Sequence, residues 1–149
     1  MRKNFLRLLI LALTLISLAT FPTVYCKGGD GDPEMEFGRP YEGWMVPQDA
    51  GDFWNLYVAE PGTVTIEMDV QPGIQGEITL YGPEYPFTDP FPKEAHGSYG
   101  DDVTLTTYLS EPGWCDITLQ YLNYDPEIIE QGSEYMYIIK ATFSPYLKT

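Results

Sequence analysis

From about Phe37 onward, apolar and polar residues alternate nearly one by one, and that two-residue period predicts strands. The clearest case is Thr63 to Val70. Val64, Ile66, Met68 and Val70 share one face, with Thr63, Thr65, Glu67 and Asp69 on the other. Successive strand side chains point to opposite faces, so this segment buries four apolar groups and wets four polar ones. Trp54, Leu56 and Val58 form a similar face ahead of it, backed by Phe53, Asn55 and Tyr57. Glu60-Pro61-Gly62 separates the two. Proline fixes the first torsion of a turn and glycine takes a positive one, so the pair is expected as a hairpin.

The pattern continues. Glu77 to Tyr81 turns Ile78 and Leu80 inward, and Val103 to Leu109 puts Val103, Leu105, Thr107 and Leu109 on one face. A second Glu-Pro-Gly, at 111–113, leads into Trp114 to Leu122. Here Cys115, Ile117, Leu119 and Tyr121 point in, and Trp114, Asp116, Thr118 and Gln120 point out. Tyr135 to Phe143 closes the series, with Tyr135, Tyr137, Ile139, Ala141 and Phe143 inward and Met136, Ile138, Lys140 and Thr142 on the opposite side. No stretch of ten residues carries a helical repeat free of Pro or Gly. About seven short strands, each with one dry face, predict an all-β, antiparallel β-sandwich.

The pattern fails between Gly82 and Asp102. A structureless span this long is unusual inside a compact domain, and such loops are commonly functional. It carries Pro83, Pro86, Pro90 and Pro92 together with Tyr85, Phe87, Phe91 and Tyr99. Exposed aromatics can stack on sugars or grip a peptide, so Tyr85, Phe87, Phe91 and Tyr99, with the outward Trp114, are the candidate ligand contacts. The alternative is that the rings fold back as a lid on one sheet.

The first 26 residues differ. Arg2, Lys3 and Arg7 precede an apolar run from Leu8 to Phe21, too short for the ~20 residues of a membrane-crossing helix. Residues 1–26 therefore read as a secretory signal, cut near Ala19 or near Cys26. An uncleaved anchor and lipid attachment to Cys26 remain alternatives. Residues 27–36, rich in Gly and Asp, read as a linker, and residues 37–149 as the domain.

All 22 acidic residues lie beyond position 26, against five basic ones, which leaves the exported part at −17. Such a surface repels phosphate backbones, so nucleic acid and anionic membrane are poor partners; it reads first as a solvated acidic coat that keeps the protein soluble, and it also suits divalent cations or a basic partner. Two cysteines make no disulfide framework. Cys26 and Cys115 can pair only if Cys26 survives processing, and Cys115 reads as a small buried hydrophobe.

The succession Gly43, Asp52-Phe53-Trp54-Asn55-Leu56-Tyr57-Val58, Pro61-Gly62-Thr63-Val64-Thr65-Ile66 and Glu77-Ile78-Thr79-Leu80-Tyr81 resembles the bacterial pre-peptidase C-terminal (PPC) domain. Pro112-Gly113 with Ile117 and Leu119, and the final Tyr137-x-Ile139, continue the resemblance across residues 37–143. Cys115 stands where the family usually has an aromatic residue, and 82–102 is longer than usual. The resemblance implies a jelly-roll-like sandwich in an exported protein, non-catalytic and associated with targeting, polymer binding or processing. With no catalytic domain in these 149 residues, a stand-alone binder is expected.

Little else carries chemistry. His96 is the single histidine, so no histidine metal cluster exists, and it reads as a solvated loop residue. Asp30-Gly31-Asp32-Pro33-Glu34 begins like a calcium loop but has Met35 and Tyr41 where that loop needs Gly and Glu. No cofactor is expected. Calcium enters only through the resemblance, as an ion that orders the linker. The expected function is a secreted or cell-surface binding or adhesion module for a polysaccharide, peptide or surface protein, with no enzymatic activity. A structural part of an envelope or secreted complex is the alternative, and a small secreted hydrolase a further one.

Overall fold

The computed structural model describes residues 32–48, 51–83 and 92–146. In chain order the strands are β1 (Glu34–Met35), β2 (Pro40–Met45), β3 (Asp52–Val58), β4 (Gly62–Asp69), β5 (Ile74–Tyr81), β6 (Lys93–His96), β7 (Val103–Leu109), β8 (Gly113–Tyr124) and β9 (Tyr135–Pro145). They form a five-stranded sheet, β1-β3-β8-β5-β6, and a four-stranded sheet, β2-β9-β4-β7. Every pairing is antiparallel except the short parallel contact of β1 with β3. With β1 set aside, four strands face four in the order of a jelly roll. The chain is a β-sandwich.

Strand phase follows the alternation. Trp54, Leu56 and Val58 on β3, Val64, Ile66 and Met68 on β4, and Cys115, Ile117 and Leu119 on β8 all lie in the shared core. Each fully buried Val, Leu or Ile side chain contributes about 1.5–3 kcal/mol. Val70 and Phe143, expected inside, are half-buried at the core's margin, and β4 ends one residue earlier, at Asp69. Among the described residues no helix is long and apolar enough to cross a membrane.

The expected hairpin does not form. β3 and β4 belong to different sheets, so Glu60-Pro61-Gly62 carries the chain across the sandwich. Both strands bury their apolar face on the same interior, and stepping across satisfies both as well as folding back. Gly62 is required there by close approach, since a Cβ would lie 2.5 Å from the Phe143 ring and from the Ser144 carbonyl oxygen. Glu111-Pro112-Gly113 makes the same crossing from β7 to β8, and Gly113 adopts a φ of +152°. The two corners lie side by side, with Val58 opposite Gly113 and Gly62 opposite Leu109.

Two more expectations change. The span 82–102 is not structureless throughout, because Lys93–His96 pairs with β5 as an edge strand. Only its Ala95 packs against the core, so the segment shows no apolar alternation. The linker expected over 27–36 already joins the sheet at Glu34–Met35. Met35 is buried, and Asn55 donates its backbone N–H to the Pro33 carbonyl (2.8 Å) and its side-chain Nδ2 to the Asp32 carbonyl (3.3 Å).

Candidate functional site

The outward face of the five-stranded sheet can be assembled rank by rank from the register. Because Cys115 and Leu56 face each other in the core, their neighbours Trp114 and Tyr57 must face outward on the same level. Their rings meet at a centroid distance of 5.2 Å and an angle of 57°, a tilted aromatic pair. Such cross-strand pairs stabilise a sheet by about 0.2–1 kcal/mol, yet these rings remain 50% and 53% exposed. That is a large apolar area left in water. The next rank reads Glu34, Asn55, Asp116, Tyr81, and the one beyond it Phe53, Thr118, Thr79, Glu94. Phe53 is 50% exposed, while Thr79 is covered.

This face is acidic. Asp116 and Glu34 are exposed beside the aromatic pair, and Glu60 and Glu111 are exposed on the two corners above it. None of the four has a lysine or arginine partner among the described residues. At the far edge the His96 Nδ1 lies 2.8 Å from the Glu77 carboxylate, so His96 belongs to a paired edge strand rather than to a solvated loop.

The expected contacts separate in space. Trp114 points out as anticipated. Tyr99 is also exposed, but it lies in the β6–β7 turn, where Gly100 bonds to Ile74 at the opposite end of the sheet. Ile74 is level with Tyr124, which places Tyr99 roughly 30 Å from Trp114 along β8. The two do not share a site. Tyr85, Phe87 and Phe91 lie outside the described residues, as do Cys26, Asp30 and Gly31. The segment that carries Tyr85, Phe87 and Phe91 begins after Pro83, which abuts Gly113, and ends before Lys93, which is level with Leu80. Sequence reasoning placed Phe53, Asn55 and Tyr57 on the outward face without naming them as contacts. The signal was there, in two aromatics and an amide alternating on the wet side of one strand.

The polar interior offers no catalytic arrangement among the described residues. Tyr137 Oη donates to Asp52 Oδ2 at 2.6 Å and accepts from Trp54 Nε1 at 3.0 Å. Burial pushes the Asp52 carboxyl above its ordinary range, the Tyr137 hydrogen bond pulls it back, and Glu134 pushes it up again. Burial, with the charge of Asp52, also raises the Tyr121 hydroxyl. Cys115 is fully buried on the inward face of β8 and His96 faces outward level with Gln120, so they form no nucleophile–base pair. No group of three or more His, Cys, Asp or Glu side chains among the described residues is placed to hold a metal ion.

Solved structures share this architecture. The pre-peptidase C-terminal domain of collagenase from Bacillus anthracis superposes with a TM-score of 0.55, covering 78% of this chain and 100% of that one at 13% identity. The chain shares the fold of a pre-peptidase C-terminal domain. A second similar structure is CorA, a surface-associated copper-binding protein of Methylomicrobium album BG8. It gives a TM-score of 0.55 at 10% identity and covers 76% of this chain and 98% of its own. At such identities the likeness concerns the fold alone. No protein-family model matches the sequence, and no curated protein matches it.

Proposed function

We propose that the chain is an exported, non-catalytic binding module, and that its contact surface is the outward face of the five-stranded sheet at the Tyr57–Trp114 end. One observation carries this reading: two large rings, paired across adjacent strands, remain half exposed. Monomeric proteins seldom leave such area uncovered without a partner, and Trp and Tyr are the side chains that most often anchor one. Phe53, Asn55 and Asp116 extend the surface with a further ring and hydrogen-bonding groups. The basic, apolar N-terminus and the strongly acidic domain support a secreted or cell-surface location. The ligand is an extracellular polymer or protein.

The test is retention of the purified protein on a panel of insoluble extracellular polysaccharides and immobilised surface proteins. The combined Tyr57→Ala, Trp114→Ala variant is expected to lose retention while its melting transition stays cooperative. Retention equal to the unaltered protein removes this face from the reading.

A further inference from the structure

Along β8 the contact face runs acid, aromatic, acid. Glu111 and Glu60 stand on the two adjacent corners, Trp114 and Tyr57 form the ring pair, and Asp116 and Glu34 follow in the next rank. Of the three described lysines and arginines, Arg39 sits by Glu36 and over the Tyr41 ring, and Lys140 pairs in register with Glu67 on the other sheet. Only Lys93 belongs to the five-stranded sheet, on its edge strand β6 and in phase with buried Leu80. The four carboxylates thus surround the rings with no basic neighbour on their own strands or corners.

Resting on the contact face proposed above, we infer that the occupant is a positively charged, extended polypeptide segment, rich in lysine or arginine, of a partner protein. Three physical arguments select it. A Trp face attracts an ammonium or guanidinium group through its quadrupole, and flanking carboxylates strengthen that attraction. The chain's net charge of −14 draws a basic partner toward the surface over distances beyond contact and repels anionic ones. The third argument is metric. Trp114 and Asp116 are two residues apart on a strand, a separation of about 6.6 Å, which is also the spacing of like-facing side chains in an extended peptide. A peptide aligned with β8 places one cation over Trp114 and the next beside Asp116.

The test titrates a synthetic lysine-rich decapeptide into the full chain by calorimetry, in low salt and in 0.5 M salt on the order of a 3–5 Å screening length. Saturable binding that weakens with salt is expected. Trp114→Ala should weaken it about tenfold, on the order of one well-placed cation–π contact. Asp116→Asn with Glu111→Gln should weaken it and flatten its salt dependence. Glu67→Gln with Asp69→Asn, on the opposite sheet, should leave it unchanged. If the opposite-sheet variant weakens binding as much, or if Trp114→Ala has no effect, the attraction is diffuse charge and the inference fails. A neutral gluco-oligosaccharide serves as the second probe. Trp114-dependent binding of that probe, without binding of the peptide, overturns the inference and leaves the contact face standing. Retention on the polymer panel that survives the Tyr57→Ala, Trp114→Ala change overturns both.

Discussion

Tyr137 on β9 and Asp52 on β3 join the two sheets through one hydrogen bond of 2.6 Å, and the same tyrosine oxygen accepts the indole N–H of Trp54. The chain has few polar groups inside, and among the described residues no buried side-chain nitrogen or oxygen lacks a partner. This bridge ties the largest buried side chain to both layers. Tyr137→Phe removes the shared oxygen and leaves the Trp54 donor and the Asp52 acceptor without it. The expected cost is about 1–3 kcal/mol. For a domain of this size that lowers the melting temperature by roughly 4–15 °C, measurable by calorimetry.

The same pair sets a pH dependence. Burial raises the folded-state pKa of Asp52, with the Tyr137 bond opposing and Glu134 reinforcing. A raised carboxyl binds its proton more tightly in the folded state. Its stabilising contribution is complete below the ordinary aspartate pKa and is lost as pH rises through the folded value. Asp69 acts in the same direction, through partial burial and then the charges of Asp102 and Glu67. Urea midpoints should therefore rise as pH falls from 7 toward the carboxylate range. Asp52→Asn keeps an acceptor for Tyr137 and should reduce that rise. An unchanged slope in the variant would show that the net charge alone drives it.

The second corner gives a backbone prediction. Gly113 has a φ of +152°, and a Cβ there would lie 2.8 Å from the Pro83 side chain. Gly113→Ala should cost about 1–3 kcal/mol, as strained backbone positions do, read as a lower urea midpoint. The same substitution at Gly132, where nothing lies within 4 Å of a Cβ but φ is +80°, should cost less, because only the torsion is strained.

The free side of β3 is guarded by very little. β1 pairs with only Asn55 and Leu56 of the seven residues of β3. A chain beginning at residue 37 loses that cover and exposes a row of unpaired backbone groups beside Phe53 and Tyr57. Exposed strand edges recruit other strands. Light scattering should show more self-association for residues 37–149 than for residues 27–149. Equal behaviour would mean that the edge is protected in some other way.

Strand phase was legible wherever both faces of a strand differed in character. β3, β4, β8 and β9 each announce their inward residues, and the outward placement of Trp114 followed from Cys115 being its neighbour. Connectivity was not legible, for a physical reason. A Glu-Pro-Gly corner bends the chain in the same way whether the next strand pairs with the last or crosses to the other sheet, and only packing of Gly62 against Phe143 and Ser144 decides. β1 and β6 were hidden because each buries a single apolar side chain, Met35 and Ala95, too few to make a period. The site was half legible. Trp114 could be read from its strand, but its partner Tyr57 emerges only once β3 is known to lie against β8, and the separation of Tyr99 from Trp114 only once the whole length of β8 lies between them.

The order of the four-stranded sheet has a bearing on how the molecule comes into being. The last of its strands in sequence, β9, lies between β2 and β4, so until residues 135–145 arrive that layer is a lone strand, β2, apart from the β4–β7 ribbon. Every strand from β1 to β8 is therefore made before this layer can close. Losing residues 135–145 would abolish the fold rather than trim it.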